Sequence, residues 1–250
     1  MEVLKDFLQI NKRTMKKTMS SLKNNYMIVF TGIAYILLNT IVSMAVFTLF
    51  RGVLGLIGGI IIAIFSASLI SNYLYLLYNV INYDRLSFQD FKDGFTFFLR
   101  KVYTVFFFGW IGNMLLSLFY GILGSNAYIL NMIVTISILI LLNPLPESLY
   151  LKARDPMGSI VYAVDFMKEN WLNWIIPNVL FHGVLFYLTG NVISNLFSTH
   201  VNVGLGIGLE GIAKYLIAQV LFSFIMIYRG HLFKYLSTST RRKRMYMNKF

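Results

Sequence analysis

The chain alternates long apolar runs with short charged segments. Asp, Glu, Lys and Arg are missing from the 27 residues Asn24 to Phe50, the 32 from Gly52 to Tyr83, the 45 from Val102 to Pro146 and the 40 from Asn170 to Leu209. A fifth apolar stretch follows from Tyr215 to Tyr228. Each of the four runs exceeds the roughly 20 residues that carry a helix across a bilayer. None shows the alternating ten-residue pattern of a membrane barrel strand, so helices remain. The 45-residue run must turn once, at the loop formers Gly121, Gly124, Ser125 and Asn126. The 40-residue run breaks around Asn202, Gly204, Gly206 and Gly208, and the first two spans turn at Arg51 and Gly52. The pattern predicts an all-α polytopic bundle with six spans, at residues 26–50, 53–80, 103–123, 127–146, 172–197 and 209–229.

The segments before the odd-numbered spans share a second pattern. An aromatic stands where each span begins, at Tyr26, Tyr103 and Trp171. A basic residue lies three positions earlier (Lys23, Arg100, Lys168) and an apolar one four positions earlier (Leu22, Leu99, Met167). In the second segment Phe88, Phe91, Phe95 and Phe98 fall on one helical face, and in the third Met157, Ile160, Val164 and Met167 do. Ser87 with Asp90 has the form of a capping box, and Asp155 before Pro156 that of an N-cap with Pro at the first helical position. These features predict amphipathic elbow helices on the headgroup boundary, each leading into a hairpin of two spans. The chain then reads as one membrane domain, 1–250, with repeats at 11–80, 87–146 and 155–229 and a basic tail at 230–250.

Composition supports hydrocarbon as the solvent: 57% of residues are apolar and 13% charged, against roughly 25% charged in an ordinary soluble domain. Of 22 Lys and Arg, six precede Tyr26, four lie between Asn82 and Val102, three between Glu147 and Asn170, and seven from Arg229 onward. Only Arg51 and Lys214 fall on the other side, so the positive-inside bias predicts a multi-pass protein of the cell membrane with both termini cytoplasmic. The net charge of +12 is then mainly topological. Arg241, Arg242, Lys243 and Arg244 are expected to meet anionic headgroups on the cytoplasmic side, in place of nucleic acid. The charged first 25 residues and the long apolar run after them do not have the form of a cleaved signal.

Candidate chemistry is sparse. Absence of cysteine removes thiol nucleophiles and thiolate metal sites, and His182, His200 and His231 stand in no metal-binding spacing, so neither metal nor cofactor is expected. Span two carries Gly55, Gly59, Ala63, Ala67 and Ser71 at i,i+4 spacing, a face for close helix packing or homodimer contact. Polar residues inside spans mark candidate sites because burying them in lipid is costly. Asn72, Asn131, Asn178 and His182 are the set that a shared polar cavity would use. Pro144 and Pro146 are expected to end or kink span four beside Glu147, which has no partner acid or nucleophile nearby in sequence.

The succession of a Lys-rich elbow, an apolar hairpin and a second elbow from Arg85 to Arg100 resembles bacterial six-span membrane proteins of uncharacterised role. It is similar as well, over roughly residues 12 to 235, to the membrane domain of glycerophosphodiester phosphodiesterases. The catalytic domain of those enzymes has no counterpart here, so the resemblance implies the layout without the activity. The expected function is non-catalytic: binding of lipids or a partner protein as an accessory, assembly or envelope component. The alternative is a transporter or permease subunit built around the polar cavity.

Overall fold

A computed structural model describes residues 2–124, 127–192, 195–201 and 208–238. The Arg241 to Arg244 cluster lies outside the described residues, as do the loop formers Ser125, Asn126, Asn202, Gly204 and Gly206. Among the described residues the regular structure is entirely helical. In chain order the helices are α1 (Glu2–Asn24), α2 (Met27–Leu49), α3 (Gly55–Tyr83), α4 (Phe88–Phe97) and α5 (Leu99–Leu123). Then follow α6 (Ala127–Leu141), α7 (Leu145–Leu151), α8 (Pro156–Thr189) and α9 (Leu209–Thr238). Six stretches, carried by α2, α3, α5, α6 with α7, α8 and α9, are long and apolar enough to cross a membrane. The chain is a multi-pass integral membrane protein.

α3 and α9 form the centre. Leu69, Tyr73, Leu77 and Val80 of α3 meet Phe222, Ile225 and Met226 of α9 and Leu145, Leu149 and Tyr150 of α7 in one apolar core. A smaller core joins Ile10 of α1, Phe166 and Trp174 of α8, and Phe233 and Leu236 of α9. α5 joins the core at its first turns, through Val102 and Val105, and α6 has no buried residue among those described. In water their exposed Ile, Leu, Met and Phe side chains would be a severe liability; in hydrocarbon they are ordinary surface.

The three elbow segments take three different forms. α1 is a separate amphipathic helix that turns Ile10, Thr14, Thr18 and Ser21 inward. Ser21 Oγ meets His231 Nε2 of α9 at 3.1 Å, and the Tyr228 hydroxyl donates to Asn11. Its opposite face exposes Leu8, Met15 and Met19, and helical spacing sets Lys5, Lys12, Lys16 and Lys23 along one edge of that stripe. α4 begins with the expected capping box, in which Asp90 N donates to Ser87 Oγ (3.1 Å) and Ser87 N to the Asp90 carboxylate (2.7 Å). Most of its aromatic stripe, however, meets the protein: Phe91 stacks on Tyr35 of α2 at 6.3 Å, and Phe98 lies edge-on to Tyr78 of α3 at 6.1 Å, while Phe88 is exposed. The third segment is no separate helix, because nothing between Lys168 and Leu172 interrupts the backbone, and α8 runs unbroken from its Asp155 cap.

The small-residue face of α3 is packed only over one half. Ala67 and Ser71 are buried, whereas Gly55, Gly59 and Ala63 are exposed. What approaches Ser71 is the backbone of α4: Ser68 and Ser71 donate to the carbonyls of Phe95 and Gly94 at 2.8 Å each, and Asn72 Nδ2 donates to that of Phe91 at 2.5 Å. A Cβ on Gly94 would lie 2.9 Å from Asn72 Nδ2 and 3.1 Å from the Asn72 Cα, an overlap with backbone that cannot rotate away. Gly94→Ala should therefore destabilise the protein by about 1–3 kcal/mol, read as a lower thermal midpoint in detergent. Gly109→Ala, where a Cβ meets nothing within 4 Å, should leave the midpoint unchanged.

Candidate functional site

Chain interruptions at two places build the site. At the first, Pro144 and Pro146 lack the N–H groups a continuous helix needs, so α6 stops at Leu141 and α7 starts afresh at Leu145. The break leaves the Asn143 carbonyl without an intrahelical donor, and Arg229 of α9 takes it with Nη2 at 2.7 Å. Arg229 also grips Glu147 of α7 bidentately, Nε to Oε1 at 2.7 Å and Nη2 to Oε2 at 3.0 Å. The two side chains are 5% and 1% exposed. Nη1 donates to Asn143 Oδ1 at 3.2 Å, the Trp174 indole donates to the same oxygen at 2.8 Å, and the guanidinium lies over the Trp174 ring at 5.2 Å. α7, α8, α9 and the turn after α6 are thus tied at one level by a charge-neutral cluster.

The second interruption is at Gly190, whose φ of 70° ends α8 in a left-handed cap. The predicted span at 172–197 is therefore helical only to Thr189. Residues 195–201 then fold as a strap over the bundle: Phe197 packs edge-on against Phe106 of α5 at 5.4 Å, and Val201 N donates to Gln219 Oε1 at 3.1 Å. His200 sits beside Thr199 Oγ1 at 3.0 Å, and burial pushes its imidazole below the usual histidine range.

Between the break and the strap lies a half-open groove of about 440 Å³, walled by α6, α8, α9 and the strap. Its walls are apolar, with Ile140, Val179, Phe186, Leu196, Phe222 and Met226. Polar groups mark both ends and the floor: Asn143 and Arg229, then Asn178 and His182 one and two turns along α8, and Asn195 and Ser198 on the strap. Asn178 Nδ2 donates back to the Trp174 carbonyl at 2.6 Å, while its Oδ1 is buried with no hydrogen-bond partner. His182 Nδ1 donates to the Asn178 carbonyl at 2.8 Å, so in the neutral ring Nε2 carries the remaining lone pair.

Of the four residues expected to share a cavity, the structure brings Asn178 and His182 together and holds the other two elsewhere. Asn131 lines a separate cavity of about 520 Å³ between α5 and α6 and accepts from the Tyr120 hydroxyl at 2.9 Å. Asn72 is fully buried, accepts from the Tyr35 hydroxyl at 2.6 Å and donates to α4, which makes it a joint of α2, α3 and α4. Sequence reasoning missed Arg229, counted only among the cytoplasmic charges at the end of span six, and left Glu147 without a partner. The available signal was their common depth, since both stand at the same end of their spans. No family model, curated protein or solved structure matches this chain.

Arg229→Met would leave the Glu147 carboxylate buried and uncompensated, which costs about 3–5 kcal/mol. The thermal midpoint in detergent should fall sharply in that variant, and the double variant Glu147→Leu/Arg229→Met should recover most of the loss. A single variant that melts like the wild type would show that the pair does not hold the helices together.

Proposed function

We propose that this is a non-catalytic protein of the cell membrane, with both termini cytoplasmic, that works by holding a membrane lipid in the groove between α6, α8 and α9. The observation that carries the reading is the groove's amphiphilic build: apolar walls, with polar residues along the floor and at both ends. Ile140, Val179 and Phe186 on its rim are exposed, and on a spanning helix an exposed side chain meets hydrocarbon, so the groove is accessible from the bilayer. Its volume falls within the roughly 300–1,000 Å³ of small-molecule pockets.

Orientation rests on the basic segments, which gather at one end of the bundle. Asn24, the last residue of the Lys-rich α1, donates to Asp84 at 2.8 Å, and Lys234 donates to Asn82 Oδ1 at 2.7 Å. Arg51 and Lys214 stand at the far ends of their spans. The exposed Leu8, Met15 and Met19 stripe of α1, edged by lysines, fits an anionic cytoplasmic leaflet. A transport role draws less support, because Asn72 and Asn131 are committed to other contacts and line no common path with His182.

The test is lipid retention. After purification in mild detergent, native mass spectrometry should find about one lipid bound per chain. Gly183→Phe should lose it, since a side chain at Gly183 extends into the groove without meeting protein within 4 Å of its Cβ. A lipid-free wild type that carries solute into liposomes would reverse the assignment in favour of transport.

A further inference from the structure

Resting on the reading that the groove holds a membrane lipid, we propose that its ligand is an uncharged glycerolipid with a free hydroxyl, of the diacylglycerol class. Its hydroxyl donates to Asn178 Oδ1, and one ester carbonyl accepts from Arg229 Nη1. The argument begins with what the floor lacks. Asn178 is 5% exposed, yet its Oδ1 has no donor, and a buried acceptor without one is costly enough that a bound group is the natural complement. An acceptor asks for an O–H or N–H. One turn deeper, the His182 Nε2 lone pair asks for the same.

Charge then narrows the class. Arg229 is the one Lys or Arg lining the groove among the described residues, and no Asp or Glu lines it. That single charge is already matched by Glu147 at 2.7 and 3.0 Å. A phosphate monoester would enter a low-dielectric site with no free countercharge and with the Glu147 carboxylate behind Arg229, which disfavours it. A cationic amine would satisfy the acceptors but would find no uncompensated anion. What remains is a neutral headgroup. Four of the five guanidinium N–H groups are occupied by Glu147 and Asn143, which leaves one on Nη1 for a neutral acceptor such as an ester carbonyl. Hydroxyl and ester carbonyl occur side by side in a diacylglycerol, and its chains match the apolar walls at Val179, Phe186 and Met226.

The experiment is competitive native mass spectrometry of the full chain in detergent with four probes of matched acyl chains: diacylglycerol, the same lipid acetylated at its hydroxyl, phosphatidic acid and phosphatidylglycerol. Wild type should prefer diacylglycerol over the acetylated form and over phosphatidic acid by about ten-fold. Asn178→Leu, which keeps the side-chain volume and removes the acceptor, should bring diacylglycerol down to the acetylated form while general lipid retention persists. The wild-type comparison needs no variant to fold. Equal binding of free and acetylated forms, or a preference for either anionic lipid, would overturn the headgroup assignment and leave the lipid groove standing. Retention of none of the four, or retention unaffected by Gly183→Phe, would overturn the groove reading and this proposal with it.

Discussion

The fold depends on hydrocarbon taking the place of water around its helices. α6 buries none of its described residues and α5 few, so these helices contribute little to any internal core and present apolar side chains outward along their length. Such a surface is stable only where the solvent is lipid, and lipid offers backbone groups no hydrogen bonds of its own. The same solvent raises the stakes for every polar side chain inside the bundle.

Most of those side chains are therefore joints. Asn72 binds α2, α3 and α4 through Tyr35 and the Phe91 carbonyl; Ser71 accepts from Phe98 N and donates to Gly94, closing the turn between α4 and α5. Arg229 and Glu147 tie α7 to α9, and the proline break that frees the Asn143 carbonyl supplies the third contact. Among the described residues seven buried polar side-chain atoms lack a hydrogen-bond partner, and of these Asn178 Oδ1 is the one whose residue lines the groove.

Much of the architecture was legible because solvent and backbone rules are local. Charge-free runs located six spans, and the Ser87–Asp90 and Asp155–Pro156 signals located two helix starts. The misreadings arose where a periodicity names a face without its partner. The Phe88 to Phe98 stripe has the spacing of an interfacial helix, and Phe91 and Phe98 serve instead to pack α4 on Tyr35 and Tyr78. The small-residue face of α3 is used within the chain only at Ala67 and Ser71, where the short α4 approaches, while Gly55, Gly59 and Ala63 are exposed. Gly190 followed by Asn191 carried a helix stop that the surrounding apolar run concealed. The site itself was least legible: Glu147 and Arg229 are 82 residues apart, and nothing local couples them.

The central claim is that lipid surrounds these helices, in the proposed orientation. The chain has no cysteine, so single substitutions report cleanly with a membrane-impermeant maleimide on intact cells. Arg51→Cys should label at once, Lys23→Cys and Thr238→Cys only after permeabilisation, and Val179→Cys, although 62% exposed in the protein, in neither case. Prompt labelling at Val179→Cys would place water where the account requires hydrocarbon, and labelling of Lys23→Cys and Thr238→Cys from opposite sides would contradict an even number of crossings.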